Sequence, residues 1–148
     1  VKMSCFSTSK GGQSDRDTLI ADKLNQFTHK FHNVRYPAVI DIHGDMISTM
    51  SNFHEFPPEY AAYVYTMKTL AEKVLKIFCT SNCLKLKVRS ESQAFFSLYC
   101  LDQYHVLVFY CDIDPELSKA IDPTGNDDKY QEIISDMKKI LSSSIDIV

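Results

Sequence analysis

The chain has 148 residues, 45% of them hydrophobic and 24% charged, with a net charge of −3. That size fits one domain with a real core, and no apolar run approaches the ~18 residues of a membrane span. The charge is uneven: residues 1–35 carry +3, residues 36–111 carry −1 and residues 112–148 carry −5. The acidic last quarter reads as solvated surface and speaks against nucleic acid, which calls for a basic footprint.

The first stretch, VKMSCFSTSKGGQSD, is polar and lacks the apolar core of a signal peptide. Val1 and Lys2 precede Met3 and are set aside from fold reasoning. Residues 1–14, rich in Ser, Lys and Gly, are expected to be a disordered arm, with a single domain over 15–148. Ile20, Leu24, Phe27 and Phe31 then fall on one helical face, predicting a helix from about Asp15 to His32. Ser14 or Asp15 is the expected cap.

In PAVIDIHGDMISTMS (37–51), Ala38, Ile40 and Ile42 alternate with Val39, Asp41 and His43, and β-type residues resume at Ile47 and Thr49. Two short strands joined through Gly44 make a hairpin. Phe53 to Pro58 breaks the strand, and Pro57-Pro58 opens a helix that runs from Glu59 to about Cys79. Its apolar residues repeat as Tyr60, Val64, Met67, Ala71, Val74 and Phe78, with Tyr63, Leu70 and Ile77 beside them. The apolar arc spans about 160°, whereas a helix on one surface needs only about 100°. This helix is therefore expected to touch its own sheet and something else.

Leu84, Leu86 and Val88 alternate with Lys85, Lys87 and Arg89, a half-exposed strand with a basic row. Residues 94–101 and 106–111 are apolar on both faces and read as interior strands joined through Asp102-Gln103. Residues 112–128 form an acidic loop. A last helix is expected from about Lys129, with Ile133, Ile134, Met137, Ile140 and Leu141 on one side. The order is helix, two strands, helix, three strands, helix, an α/β domain with a five-stranded sheet and helices on both faces.

Few residues offer chemistry. Asp41, His43 and Asp45 cluster within five positions, but catalysis needs a convergent nucleophile and no G-x-S-x-G occurs. They read as turn formers and solvated polar groups. Cys79 and Cys83 form C-x₃-C at a helix end, short of the four ligands of a zinc site. Asp112, Asp114 and Glu116 resemble the start of a calcium loop, but Pro115 and Leu117 break it where a glycine is required. No P-loop occurs. The expectation is no catalytic residue, no metal and no cofactor. Five cysteines, Cys5, Cys79, Cys83, Cys100 and Cys111, scattered through apolar segments, argue against a disulfide framework and for the cytoplasm.

The element order resembles the roadblock/dynein light chain family. VIDIHGDMIST (39–49) resembles its first hairpin, with Asp41 and Gly44 at the bend; LKVRS (86–90) resembles its third strand, and DQYHVLVF (102–109) its last hairpin. The likeness covers roughly residues 17–141. It implies a roadblock/longin-like, mostly antiparallel sheet of order 2-1-5-4-3. It also implies dimerisation, by long second helices that meet and third strands that join into one sheet. The implied surface is Tyr63, Met67, Leu70, Val74 and Ile77 with Lys85, Leu86, Lys87, Val88 and Arg89. Family members are scaffolds, not enzymes. They include lysosomal adaptor subunits that anchor Rag GTPases and a bacterial activator of a polarity GTPase.

The resemblance thus implies a homodimer, or a heterodimer with a related roadblock-like chain, bound to a small GTPase or a dynein complex. It implies recruitment to endolysosomal membranes, microtubules or cilia, with membrane contact only indirect. The basic row has two readings, an edge guarded against unwanted pairing or a dimer edge. At a dimer edge, like charges across the ladder disfavour self-pairing, so reversing Lys85 and Lys87 to Glu is expected to strengthen self-association. Two rivals remain: a longin- or profilin-like trafficking domain, which starts with a strand, and a sensor domain of the PAS or GAF type, which needs an interior pocket.

Overall fold

A computed structural model describes residues 11–49, 56–112 and 130–146. The first described element is helix α1 (Gly11–Lys30), followed by β1 (Val34–Asp41), β2 (Met46–Ser48), α2 (Tyr60–Phe78), β3 (Lys85–Arg89), β4 (Phe95–Cys100), β5 (His105–Cys111) and α3 (Gln131–Asp146). The strands form one sheet of order β2-β1-β5-β4-β3, and every neighbouring pair is antiparallel. This is the architecture and strand order expected.

Helix α1 begins at Gly11 rather than Asp15, so Ser14 and Asp15 lie inside it and neither caps it. Once a helix is nucleated, each added residue gains a hydrogen bond, so the first turn extends through a glycine pair. Residues 11–14, expected to belong to a disordered arm, are helical; residues 1–10 lie outside the described chain. So do 50–55 and 113–129, which hold half of the expected Phe53–Pro58 break and most of the acidic loop.

Strand β1 starts four residues earlier than its alternation suggests. Pro37 has no N–H to give a ladder, and the register against β5 shifts between Arg35 and Ala38. Tyr36 takes a φ of 57° at this bulge, which lets a proline sit in an interior strand.

Two cores lie on the two sheet faces. Ile20, Leu24 and Phe27 of α1 and Ile133, Ile134, Met137 and Leu141 of α3 pack with Val39, Tyr99, Leu107 and Phe109. Phe27 meets Phe109 edge-on at 4.9 Å, and Tyr130 meets both rings. Ion pairs Lys23–Asp136 and Lys30–Glu132, each 3.1 Å, join the two helices outside. On the opposite face α2 covers a smaller core of Ala38, Ile40, Leu98, Val106 and Val108.

Candidate functional site

Helix α2 is held at both ends. The Tyr60 N–H donates to Pro57 O at 3.0 Å, and the Cys79 N–H to Leu75 O at 2.8 Å. Its inward side is narrow: Ala61, Val64 and Lys68 are buried, with Tyr60 and Tyr65 partly buried beside them. Ala61 is small where the first hairpin comes close, since a Cβ on Gly44 would lie 3.7 Å from its own. The outward side carries Tyr63 (58% exposed), Leu70 (55%), Val74 (54%), Ile77 (76%) and Phe78 (81%), with Met67 half-buried. The wide arc thus divides into an inner and an outer face, and Val64 belongs to the inner one.

Strand β3 forms the edge of the described sheet beside this helix and, among the described strands, pairs with β4 alone. Leu86 faces the α2 core; Val88 and Leu84 are exposed. Lys85, Lys87 and Arg89 occupy the other face, opposite Tyr99, Ser97 and Phe95. Lys85 Nζ lies 5.9 Å from the Tyr99 ring, Lys87 Nζ 4.5 Å from the Phe95 ring, and the Arg89 guanidinium 5.6 Å from Phe95. All three cations thus lie within reach of a ring quadrupole.

The Asp41 stretch is a turn. Asp41 Oδ1 accepts from the backbone N–H of His43 at 2.8 Å and of Asp45 at 3.0 Å. The Gly44 N–H donates to Asp41 O at 2.9 Å, and Gly44 has φ +86°. A cleft of about 160 Å³ beside it is lined by Arg16, Asp17, Asp41, Asp45 and His105 with Val39, Met46 and Ile47. None of these lining residues carries a hydroxyl or a thiol. His105 Nδ1 bonds Asp102, 2.9 Å from Oδ1, rather than Asp41. The Tyr65 hydroxyl donates to Tyr104 O at 2.6 Å, tying α2 to the β4–β5 turn. Burial first, then the Asp41 and Asp102 carboxylates, raise its pKa.

A second cleft, about 400 Å³, opens between α2 and that turn, lined by Lys68, Glu72, Asn82, Cys83, Cys100, Asp102 and Gln103. Glu72 stands 3.9 Å from Lys68 Nζ and accepts from the Cys83 N–H. Burial, then the neighbouring Cys83, pushes the Cys100 thiol up to about 12, which makes it a poor nucleophile. Cys79 is exposed and Cys83 buried, so the C-x₃-C pair does not converge. Among the described residues no group of three or more His, Cys, Asp or Glu could hold a metal ion, and no helix is long and apolar enough to cross a membrane.

The sequence matches no family model and no curated protein. Solved structures do match. MglB of Myxococcus xanthus superposes with a TM-score of 0.67 at 14% identity, over 86% of this chain and 91% of that one. The chain has the MglB fold. A structure described as MglB with tetrameric arrangement gives 0.66 at 11% identity, over 87% and 92%. The gliding protein MglB of Thermus thermophilus gives 0.60 at 14%, over 90% and 91%. At such identities the likeness is one of fold, and that fold is the roadblock-like one the sequence resembles.

On this MglB fold the outward face of α2 and the β3 edge lie on adjoining elements. Sequence reasoning missed one apolar residue on that outward face, Phe78, four residues beyond Val74. It also missed Lys68, a cation on the inward side of α2. Helical spacing from Val64 would have placed it there.

Proposed function

We propose that the chain is a non-catalytic dimerising scaffold that holds or regulates a small GTPase. The observation that carries this is the outer face of α2, where Tyr63, Leu70, Val74, Ile77 and Phe78 are each more than half exposed. A contiguous apolar patch of this kind marks an interaction site. It lies beside an edge strand, the element through which a second sheet can be added. The MglB fold supports the reading, and one structure with that fold is described as tetrameric.

The partner assignment comes from the roadblock resemblance, which implies a small GTPase among the cargoes. The dynein complex has no observation of its own to favour it. A longin- or profilin-like module starts with a strand, whereas the first described element here is helix α1. A sensor domain needs an interior pocket, and the clefts beside Asp41 and beside Cys100 both open to solvent between polar walls.

Sedimentation of the purified chain across concentration tests the reading. The wild type is expected to shift toward a dimer mass, alone or with a related chain, and Val74→Glu with Ile77→Glu to stay monomeric while melting unchanged. If the double variant associates like the wild type, the outer face of α2 is not the seam. A panel of purified small GTPases, each loaded with GDP or a non-hydrolysable GTP analogue, then tests the cargo by nucleotide-dependent binding.

A further inference from the structure

Lys68 is the only buried charged residue among those described, 8% exposed on the inward side of α2. Its ammonium carries three N–H donors. Glu72, one helical turn on, stands 3.9 Å from Nζ, and the Tyr65 ring lies 5.5 Å away. Neither contact is a hydrogen bond, which for N–H and oxygen ends near about 3.2 Å. The described residues thus give none of the three donors an acceptor. A charge taken from water without hydrogen bonds costs stability, and an apolar side chain of similar size would fill the same place without that cost. Packing does not account for the lysine.

Lys68 lines the cleft of about 400 Å³ between α2 and the β4–β5 turn, a volume within the ~300–1,000 Å³ of small-molecule sites. Burial and then Cys83 raise the Cys100 thiol in that cleft, and the Lys68 charge acts against the rise. The ammonium is therefore turned toward the cleft. Two carboxylates share the wall. Asp102 is engaged, accepting from the Tyr104 N–H at 2.7 Å and pairing with His105 Nδ1 at 2.9 Å. Glu72 accepts one long bond, from the Cys83 N–H at 3.4 Å, and keeps further acceptor capacity. The exposed Asn82 and Gln103 complete the lining.

We infer that this cleft binds a free α-amino acid, with its carboxylate on Lys68 and its ammonium on Glu72. An α-amino acid carries both poles on one carbon, so a cation and an anion 3.9 Å apart can meet both at once. A phosphate dianion would meet one ammonium against two carboxylates, and a metal cation would meet Lys68 beside Glu72. The cleft opens to solvent, so it is a surface site on the domain and not the interior pocket of a sensor. Lys68 and Glu72 turn inward, away from Tyr63, Val74 and Ile77, so this inference and the dimer reading can fail separately.

The test titrates the isotope-labelled full chain with the common free amino acids one at a time, and with acetate, methylamine and inorganic phosphate as partial mimics. At least one amino acid is expected to shift the backbone amides of Lys68, Glu72, Asn82 and Gln103 along a saturable curve. Acetate and methylamine, each holding one pole, should bind about tenfold or more weakly. Lys68→Met, which keeps the apolar stem, should lose the shifts while the melting temperature holds or rises. Glu72→Gln should weaken the amino acid about tenfold and leave acetate unchanged.

Acetate or phosphate binding as tightly as the best amino acid would reveal a plain anion site and overturn the inference. So would shifts that map away from the cleft, shifts that survive in Lys68→Met, or no saturable shift from any amino acid below about 10 mM. Should Lys68→Met fail to fold, the mimics on the wild type and the Glu72→Gln titration decide the question on their own.

Discussion

Gly44 turns the first hairpin with φ +86°, in a region that L side chains enter at a cost of about 1–2 kcal/mol. Space is not the obstacle, since a Cβ there would meet Ala61 at an ordinary 3.7 Å. Gly44→Ala should therefore lower the melting temperature by several degrees through backbone strain alone, and thermal denaturation reads it directly. Two phenols add a pH dependence. Burial pushes Tyr60 from 10.0 up to about 12. Tyr65 rises through burial and the nearby Asp41 and Asp102 carboxylates. In both, the folded state keeps a proton that the unfolded state releases near pH 10. Their contribution is thus complete below that pH and is lost as pH climbs toward the folded values. Melting curves from about pH 8 to about pH 11 should be flat at first and then fall, and Tyr60→Phe should make the alkaline fall shallower.

Among the elements, β5 binds the two layers. Phe109 is fully buried and meets Phe27 at 4.9 Å, Tyr130 at 5.3 Å and Tyr99 at 5.9 Å. Phe109→Ala should cost about 3–5 kcal/mol, measured by chemical denaturation, because it removes the ring on which α1 and Tyr130 converge. Substitutions on the outer face of α2 should cost stability little, for those side chains have no core to leave. The same contrast shows what was legible from residues alone. Periodicity located α2 and the excess width of its apolar arc, and pattern located β3, β4 and β5. Periodicity could not say which flank faces the sheet; the close approach of the Gly44 turn to Ala61 settles that. Nor could it show the first half of β1, because Pro37 interrupts the alternation and the bulge that accommodates it is a tertiary event. Lys68 was missed because a lysine reads as exposed until a neighbouring Glu72 and the Tyr65 ring are placed around it.

At the scale of the whole molecule the two sheet faces are unequal. Helices α1 and α3 seal one face with a broad aromatic core. Among the described elements only α2 covers the other, over a smaller cluster, and the described sheet ends in a five-residue edge strand. Stability is not uniform in such a structure: segments with few buried contacts open at lower free energy than the core. The amides of β1 and β5, which have strands on both sides and packed helices on both faces, should exchange most slowly. Those of β3, with Val88 48% exposed, should exchange fastest among the strands of the isolated chain. Association through this edge would cover it with another ladder, so β3 and the outer face of α2 should gain protection together. Peptide-level hydrogen exchange, run on the dilute chain and again on the concentrated chain, separates the outcomes. Joint protection of β3 and α2 places the seam on both elements. Protection of α2 without β3 would mean that the helices meet but the sheets do not join. Protection confined to α1 and α3 would move the contact to the opposite face.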